Sequence, residues 1–154
     1  MIPPKLGDAW IPKILVTIEK GTCHAMLDLG SSVCVLSKEL FDLLDLDKKL
    51  EKCDIDLLLA DDSTKHAIGR VDNIMIELHM TFVPVDFVVM DMGSNSSSPI
   101  ILGRPFLRTT GVVIDSKKGN VKFQFPHKKC MEHFPRKKAI IHRYKCPHDT
   151  CRPR

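Results

Sequence analysis

Residues 25–31 read Ala-Met-Leu-Asp-Leu-Gly-Ser, an apolar run that delivers a carboxylate, Asp28, into a turn containing Gly30. A second apolar segment, residues 33–36, follows at once, so the chain must run strand, tight turn, strand at this point. Charging an acid beside Met26, Leu27 and Leu29 is costly unless the surroundings are built to stabilise the charge. Asp28 is therefore a candidate for chemistry, and Gly30 is expected to let the backbone turn tightly beneath it. An isolated Asp-x-Gly is also a common surface turn, so the candidate needs corroboration from elsewhere in the chain.

A chain of 154 residues with 44% hydrophobic content fits one domain with a real core. Aromatics are only 6%, which predicts a core of Ile, Val, Leu and Met. No apolar run is long enough to span a bilayer. The opening Met1-Ile2-Pro3-Pro4-Lys5 lacks the pattern of a signal peptide. The six cysteines (Cys23, Cys34, Cys53, Cys130, Cys146, Cys151) follow no framework spacing and read as reduced thiols in a cytoplasmic setting. The net charge of +4 conceals an asymmetry: residues 126–154 hold nine Lys/Arg against two acids, while the first 125 residues hold 14 against 17. The basic stretch shows little hydrophobic periodicity and reads as a poorly ordered tail. Residues 1–10 read as an N-terminal extension and 11–125 as the folded domain.

Within that domain the pattern speaks mainly for strands. Ile14, Val16 and Ile18 alternate, and Glu19-Lys20-Gly21 predicts a hairpin turn into Cys23–Leu27. Ser37 is placed to cap a short helix in which Leu40, Leu43 and Leu44 share one face. Residues 57–60 predict a strand broken by Asp61-Asp62-Ser63. Ile74, Ile76 and Leu78 alternate, as do Val83, Val85 and Phe87, with His79-Met80-Thr81 between them. Pro105 opens a helix of one to two turns that Gly111 closes. Residues 112–115 and 121–125 form a last hairpin around Lys118-Gly119-Asn120. Many short strands with two brief helices predict an all-β closed or sandwiched domain.

Three motifs in this order carry a resemblance: Ala25-Met26-Leu27-Asp28-Leu29-Gly30-Ser31-Ser32, then Leu59-Ala60-Asp61-Asp62-Ser63, then Ile100-Ile101-Leu102-Gly103-Arg104-Pro105-Phe106-Leu107. The chain resembles retropepsin-type aspartic proteases, most closely the protease region of gypsy-class LTR retrotransposon polyproteins of plants. The resemblance runs from about Pro3 to Phe125 and leaves the tail outside. It implies a retropepsin-like acid-protease closed barrel that works as a homodimer on polypeptide substrate, with no cofactor. In such an enzyme two carboxylates about 3 Å apart share one proton and activate a water. One chain then supplies one copy of Asp28, and a two-fold axis supplies the other. Ser31 is implied to hydrogen-bond the carboxylate. Ala60, Asp61, Asp62 and Ser63 become the tip of a flap over bound peptide. Leu102 and Gly103 thread behind the catalytic loop, Gly103 allowing close approach. Arg104 reads either as a structural charge paired with an acid or as a solvated one. The setting implied is the cytoplasm, or the interior of a retroelement particle.

Leu29 departs from the wider family, which mostly places Thr or Ser there. That hydroxyl bonds across the dimer, and leucine has neither donor nor acceptor. Two copies of Leu29 could instead pack against each other at the axis, as in the Asp-Leu-Gly variant of plant retrotransposon sequences. A second Asp-x-Gly, Asp91-Met92-Gly93, reads as a loop, because 63 residues are too few to separate two complete lobes. In the tail, Cys130-x-x-His133 and Cys146–Cys151 hold zinc-ligand residue types, but not at the spacings of structural zinc sites. The basic residues of 126–154 suit weak, non-specific contact with nucleic acid, with Phe134 and Tyr144 available for stacking. A charged linker toward a downstream polymerase region is the competing reading. A catalytically inactive retroelement-derived dimerisation module is the rival to the enzyme. No Gly-x-Ser-x-Gly elbow or Gly-rich phosphate loop is present, and Cys34 reads as a buried strand residue.

Overall fold

The computed structural model describes residues 1–8, 11–46, 50–93 and 98–135. Its strands and helices run in the order β1 (Lys13–Ile18), β2 (Gly21–Leu27), β3 (Cys34–Ser37), α1 (Lys38–Leu44), β4 (Asp56–Leu58), β5 (Thr64–His66), β6 (Gly69–Leu78) and β7 (Thr81–Met90). The series ends with β8 (Ile100–Leu102), α2 (Arg104–Thr110), β9 (Val113–Asp115), β10 (Asn120–Gln124) and β11 (Lys129–His133). Six strands close into a barrel in the order β1-β2-β8-β3-β7-β6, and β9-β10-β11 and β4-β5 form two further small sheets.

Period-2 alternation closes the barrel, as the sequence predicts. Ile14, Val16 and Ile18 on β1, Ile74, Ile76 and Leu78 on β6, and Val83, Val85 and Phe87 on β7 are all buried. Both predicted hairpins form with two-residue turns. Glu19-Lys20 joins Ile18 to its partner Gly21, and His79-Met80 joins Leu78 to its partner Thr81. His79 and Met80 both have positive φ (49° and 62°), the backbone twist that a two-residue hairpin favours. Ser37 caps α1, its hydroxyl accepting from the Leu40 amide at 3.1 Å. Gly111 closes α2 in the left-handed region at φ 58°.

Four expectations are corrected. The core is mainly Ile, Val and Leu, as expected, but phenylalanine rather than methionine supplies its bulkiest members. Phe87, Phe106 and Phe123 are among its largest fully buried side chains, whereas Met75, Met80 and Met131 are exposed. The few aromatics matter there because each ring removes more apolar surface from water than any aliphatic chain does. Leu43 is exposed; the half-buried residues that accompany Leu40 are Phe41 and Leu44. The strand predicted over 57–60 ends at Leu58, because the Leu59 amide bonds to the Ser63 carbonyl at 2.8 Å and turns Ala60 into the loop.

The fourth correction concerns the tail. Residues 129–133 form β11, paired along its length with β10, and Phe134 is buried in the main core. Phe134 is therefore unavailable for stacking on bases. The periodicity was hidden because β11 buries its inner face only partly, alternating exposed and half-buried residues. Glu132 fastens this strand to the barrel. Its Oε1 lies 2.8 Å from Nε2 of His79, and its Oε2 accepts from the Leu15 amide at 3.2 Å. Tyr144, Cys146 and Cys151 lie outside the described residues.

The barrel closes where β8 passes between β2, to which it is parallel, and β3, to which it is antiparallel. At the end of β8 a Cβ on Gly103 would lie 2.2 Å from the Val33 carbonyl oxygen and 2.8 Å from that of Ser31. Both obstacles are backbone, so neither can move aside.

Two outcomes test this account by chemical denaturation. Gly103→Ala is expected to destabilise the fold by about 3 kcal/mol or more, at the upper end of overpacking costs. Truncation after Pro126 is expected to abolish cooperative unfolding, and Phe134→Ala to cost about 3 kcal/mol. A 1–126 fragment as stable as the full chain would refute the role of β11.

Candidate active site

Asp28 follows β2 directly, at the end where β2 pairs with β8, Leu27 opposite Leu102. The Asp28 amide donates to the Leu102 carbonyl at 3.0 Å, so the fully buried Leu102 holds the backbone that carries the acid. The Asp28 carboxylate is half-buried and accepts from the Gly30 amide at 2.8 Å. The Ser31 amide closes the turn on the Asp28 carbonyl at 3.3 Å. On the far side, the Arg104 amide donates to the Ser31 carbonyl at 2.9 Å, tying the turn to the start of α2. The loop is thus held by backbone at both ends.

Ser31 departs from the sequence expectation, Gly30 adds to it, and Arg104 decides between two readings. Gly30 does not adopt a left-handed conformation; a Cβ there would come within 3.1 Å of Asp28 Oδ1, so its lack of a side chain makes room for the carboxylate. The Ser31 hydroxyl donates to the Val33 carbonyl at 2.7 Å and not to the carboxylate, because the turn directs it along the chain toward β3. Arg104 is exposed and has no ion pair among the described residues, which selects the solvated reading. Leu29, beside Asp28, is 66% exposed.

Ala60, Asp61, Asp62 and Ser63 lie together at the tip of the β4–β5 hairpin, a two-stranded sheet apart from the barrel. Asp62 has φ 63°, and Asp61 Oδ1 accepts from both the Ser63 hydroxyl (2.5 Å) and the Ser63 amide (3.0 Å). Those two bonds, the hydroxyl's foremost, hold the Asp61 carboxyl below its usual range. Beneath the hairpin lies a second apolar cluster that the motifs did not reveal. Val35, Val88 and Met90 are buried there, with Ile55 and Leu57 of the hairpin and Val33 and Ile101 of the barrel half-buried around them. Ile55 and Leu57 alternate with acids at 54 and 56, the one signal in the sequence for this floor. A cavity of about 310 Å³ adjoins it, bounded by Ser32, Val33, Ile55, Arg70, Asp86 and Phe106.

Other candidates fall away on geometry. Asp91 lies beyond Met90, which pairs with Ser37 at the far end of β3, whereas Val33 meets Gly103 near Asp28. Four strand steps, about 13 Å, separate those ends of β3. Its carboxylate closes a local turn on the Gly93 amide at 2.9 Å. Cys34 is buried, and burial pushes its thiol up, away from the reactive thiolate. Cys130 and His133 sit three apart on β11, so their side chains point to opposite faces and cannot share one ion. Among the described residues no group of three or more His, Cys, Asp or Glu is placed to hold a metal.

A family model described as aspartyl protease matches residues 14–106, from β1 into α2 and across the Asp28 turn. The retroviral protease-like domain of Ddi1 from Leishmania major is similar in structure, with TM-score 0.56 and 18% identity over 74% of this chain and 85% of that one. The EIAV protease complexed with the inhibitor HBY-793 is similar with TM-score 0.55 and 18% identity over 66% of this chain and 89% of that one. No curated protein matches the sequence. The matched stretch is more than half of the chain and contains the strand, turn and helix that hold Asp28: the chain belongs to the aspartyl protease family and has a retropepsin-like fold.

Proposed function

We propose that the protein is an aspartic endopeptidase that acts as a homodimer, on a polyprotein of LTR-retrotransposon type. The observation that carries this reading is the Asp28 loop. One half-buried carboxylate is fixed by backbone at the barrel edge, and the adjacent Leu29 is 66% exposed. A single carboxylate cannot both take a proton from water and give one to a peptide carbonyl. A two-fold axis through this loop supplies a second copy of Asp28. One member of the pair is then ionised and removes the proton of a bound water; the other is protonated and donates to the carbonyl oxygen. Peptide hydrolysis proceeds without a covalent enzyme intermediate.

Leu29 supports the same axis. Two leucines meeting there would each bury surface now open to water, worth up to about 2 kcal/mol apiece. They would replace with apolar contact the hydroxyl bond of the wider family. The β4–β5 hairpin stands over the apolar floor beside the loop, a place for an extended peptide to bind by backbone hydrogen bonds. The exposed Leu29 also fits a dimerisation module that has lost catalysis, and cleavage separates the two readings.

Asp28→Asn is expected to abolish peptide cleavage while leaving the dimer seen by sedimentation intact. Cleavage by the wild type should be bell-shaped over roughly pH 4–7, lost at low pH when both carboxylates are protonated and at high pH when both are ionised. Leu29→Lys is expected to give a monomer without activity, and Leu29→Thr to retain both dimer and cleavage. Undiminished cleavage by Asp28→Asn would sink the enzyme reading. A stable dimer that cleaves nothing at any pH would favour the module.

A further inference from the structure

The β9-β10-β11 sheet has one face against the barrel and one face in water. Val121 and Phe123 of β10 are buried on the inner side, and Lys122 and Gln124 are exposed on the outer side. The register places Val113 and Met131 opposite Lys122, and Lys129 opposite Gln124. Lys122 and Lys129 therefore share the outer face as diagonal neighbours. Lys117 and Lys118, both exposed, stand in the β9–β10 turn at one end. His127, also exposed, stands in the β10–β11 turn at the other. Five residues of β10 span about 17 Å, so the cations form a stripe along the sheet.

Of the acids of this region, Glu132 is turned away from that stripe and Asp115 stands at one end of it, bonded to the Lys118 amide. Between residues 111 and 135 the sequence has two, Asp115 and Glu132. Glu132 faces inward to His79 and the Leu15 amide. Asp115 is half-buried, with its carboxylate on the Lys118 amide at 2.9 Å. The rest of the molecule has the opposite sign. Residues 1–110 hold eleven Lys/Arg against 16 Asp/Glu, and residues 111–135 hold five against two. A polyanion is thus repelled by the barrel and attracted to this face.

We infer that the outer face of the β9-β10-β11 sheet, through Lys117, Lys118, Lys122 and Lys129, binds the phosphate backbone of nucleic acid. Gln124 and His133 add further hydrogen-bonding groups on the same strands. Phe123 and Phe134 are buried, so these rings of the sheet region are not offered to bases. Contact is with phosphates, independent of base sequence and sensitive to salt. A lipid surface is a poorer match, since interfacial binding relies on an amphipathic helix or a projecting apolar group. The face is a sheet whose exposed apolar members are Val113 and Met131, each about half exposed.

The test does not depend on proteolysis and is made on the full chain carrying Asp28→Asn. Binding of fluorescent mixed-sequence single-stranded RNA is followed by anisotropy over a range of salt, with circular dichroism to verify the fold. Removing all four lysines as glutamine is expected to weaken binding more than ten-fold at low salt. It should also reduce the slope of log affinity against log salt by about three, near 0.7 per lost phosphate contact. Paired variants, Lys117→Gln with Lys118→Gln and Lys122→Gln with Lys129→Gln, should each give about half that change in slope. Three results would overturn the inference: no RNA binding by the parent chain, unchanged binding by the four-lysine variant, or binding to phosphatidylserine vesicles without binding to RNA.

Discussion

The approach of Gly103 to the Val33 carbonyl, where a Cβ would come within 2.2 Å, is the contact on which the other features depend. Any side chain there would push β8 away from the segment that enters β3. With glycine, β8 settles between β2 and β3 and the barrel closes. The same passage brings the Leu102 carbonyl to the Asp28 amide and the Arg104 amide to the Ser31 carbonyl. Barrel closure and the fixing of the acid are one construction. A steric demand at residue 103 is felt chemically at residue 28.

That construction holds the acid in place from both sides. Backbone groups hold the loop, and a half-buried carboxylate meets one amide at 2.8 Å. Pre-positioned charge is what general acid–base chemistry requires, because reorganisation during reaction would consume the catalytic advantage. Two further features flank this loop. Val35, Val88 and Met90 provide an apolar floor in the barrel wall, and the β4–β5 hairpin stands above it with a polar tip. Leu29, beside the acid, is open to water.

Charge is segregated in the same spirit. The barrel and its acid lie in the part of the chain with an excess of Asp and Glu, and the cations follow α2. Glu132 shows how the two parts are joined. It turns its carboxylate inward to clamp His79 and β1, and so holds the C-terminal sheet without placing an acid on the outer face.

Much of this was legible beforehand. Alternation at Ile14, Val16 and Ile18, the cap at Ser37, and the Pro105–Gly111 helix are local matters of side-chain period and backbone preference, so sequence determined them alone. The Asp-Leu-Gly turn and its two companion motifs likewise announced the family. Other features required the assembled chain. Gly30 was read as a turn former and stands in that turn, but that its missing Cβ also leaves room for the carboxylate was not visible. Ser31 was assigned to Asp28 and bonds Val33 instead. β11 looked like tail, because a strand with a half-buried inner face has weak periodicity and gains its stability from β10, His79 and Leu15. The apolar floor joins Val33, Ile55, Val88 and Ile101, residues far apart in sequence. Sequence alone determined which segments are strands, where they turn and which acid stands at a tip. The tertiary structure decided which backbone groups hold that acid, what lies beneath the hairpin and that β11 belongs to the fold. Those depend on contacts between distant residues, which no local pattern encodes.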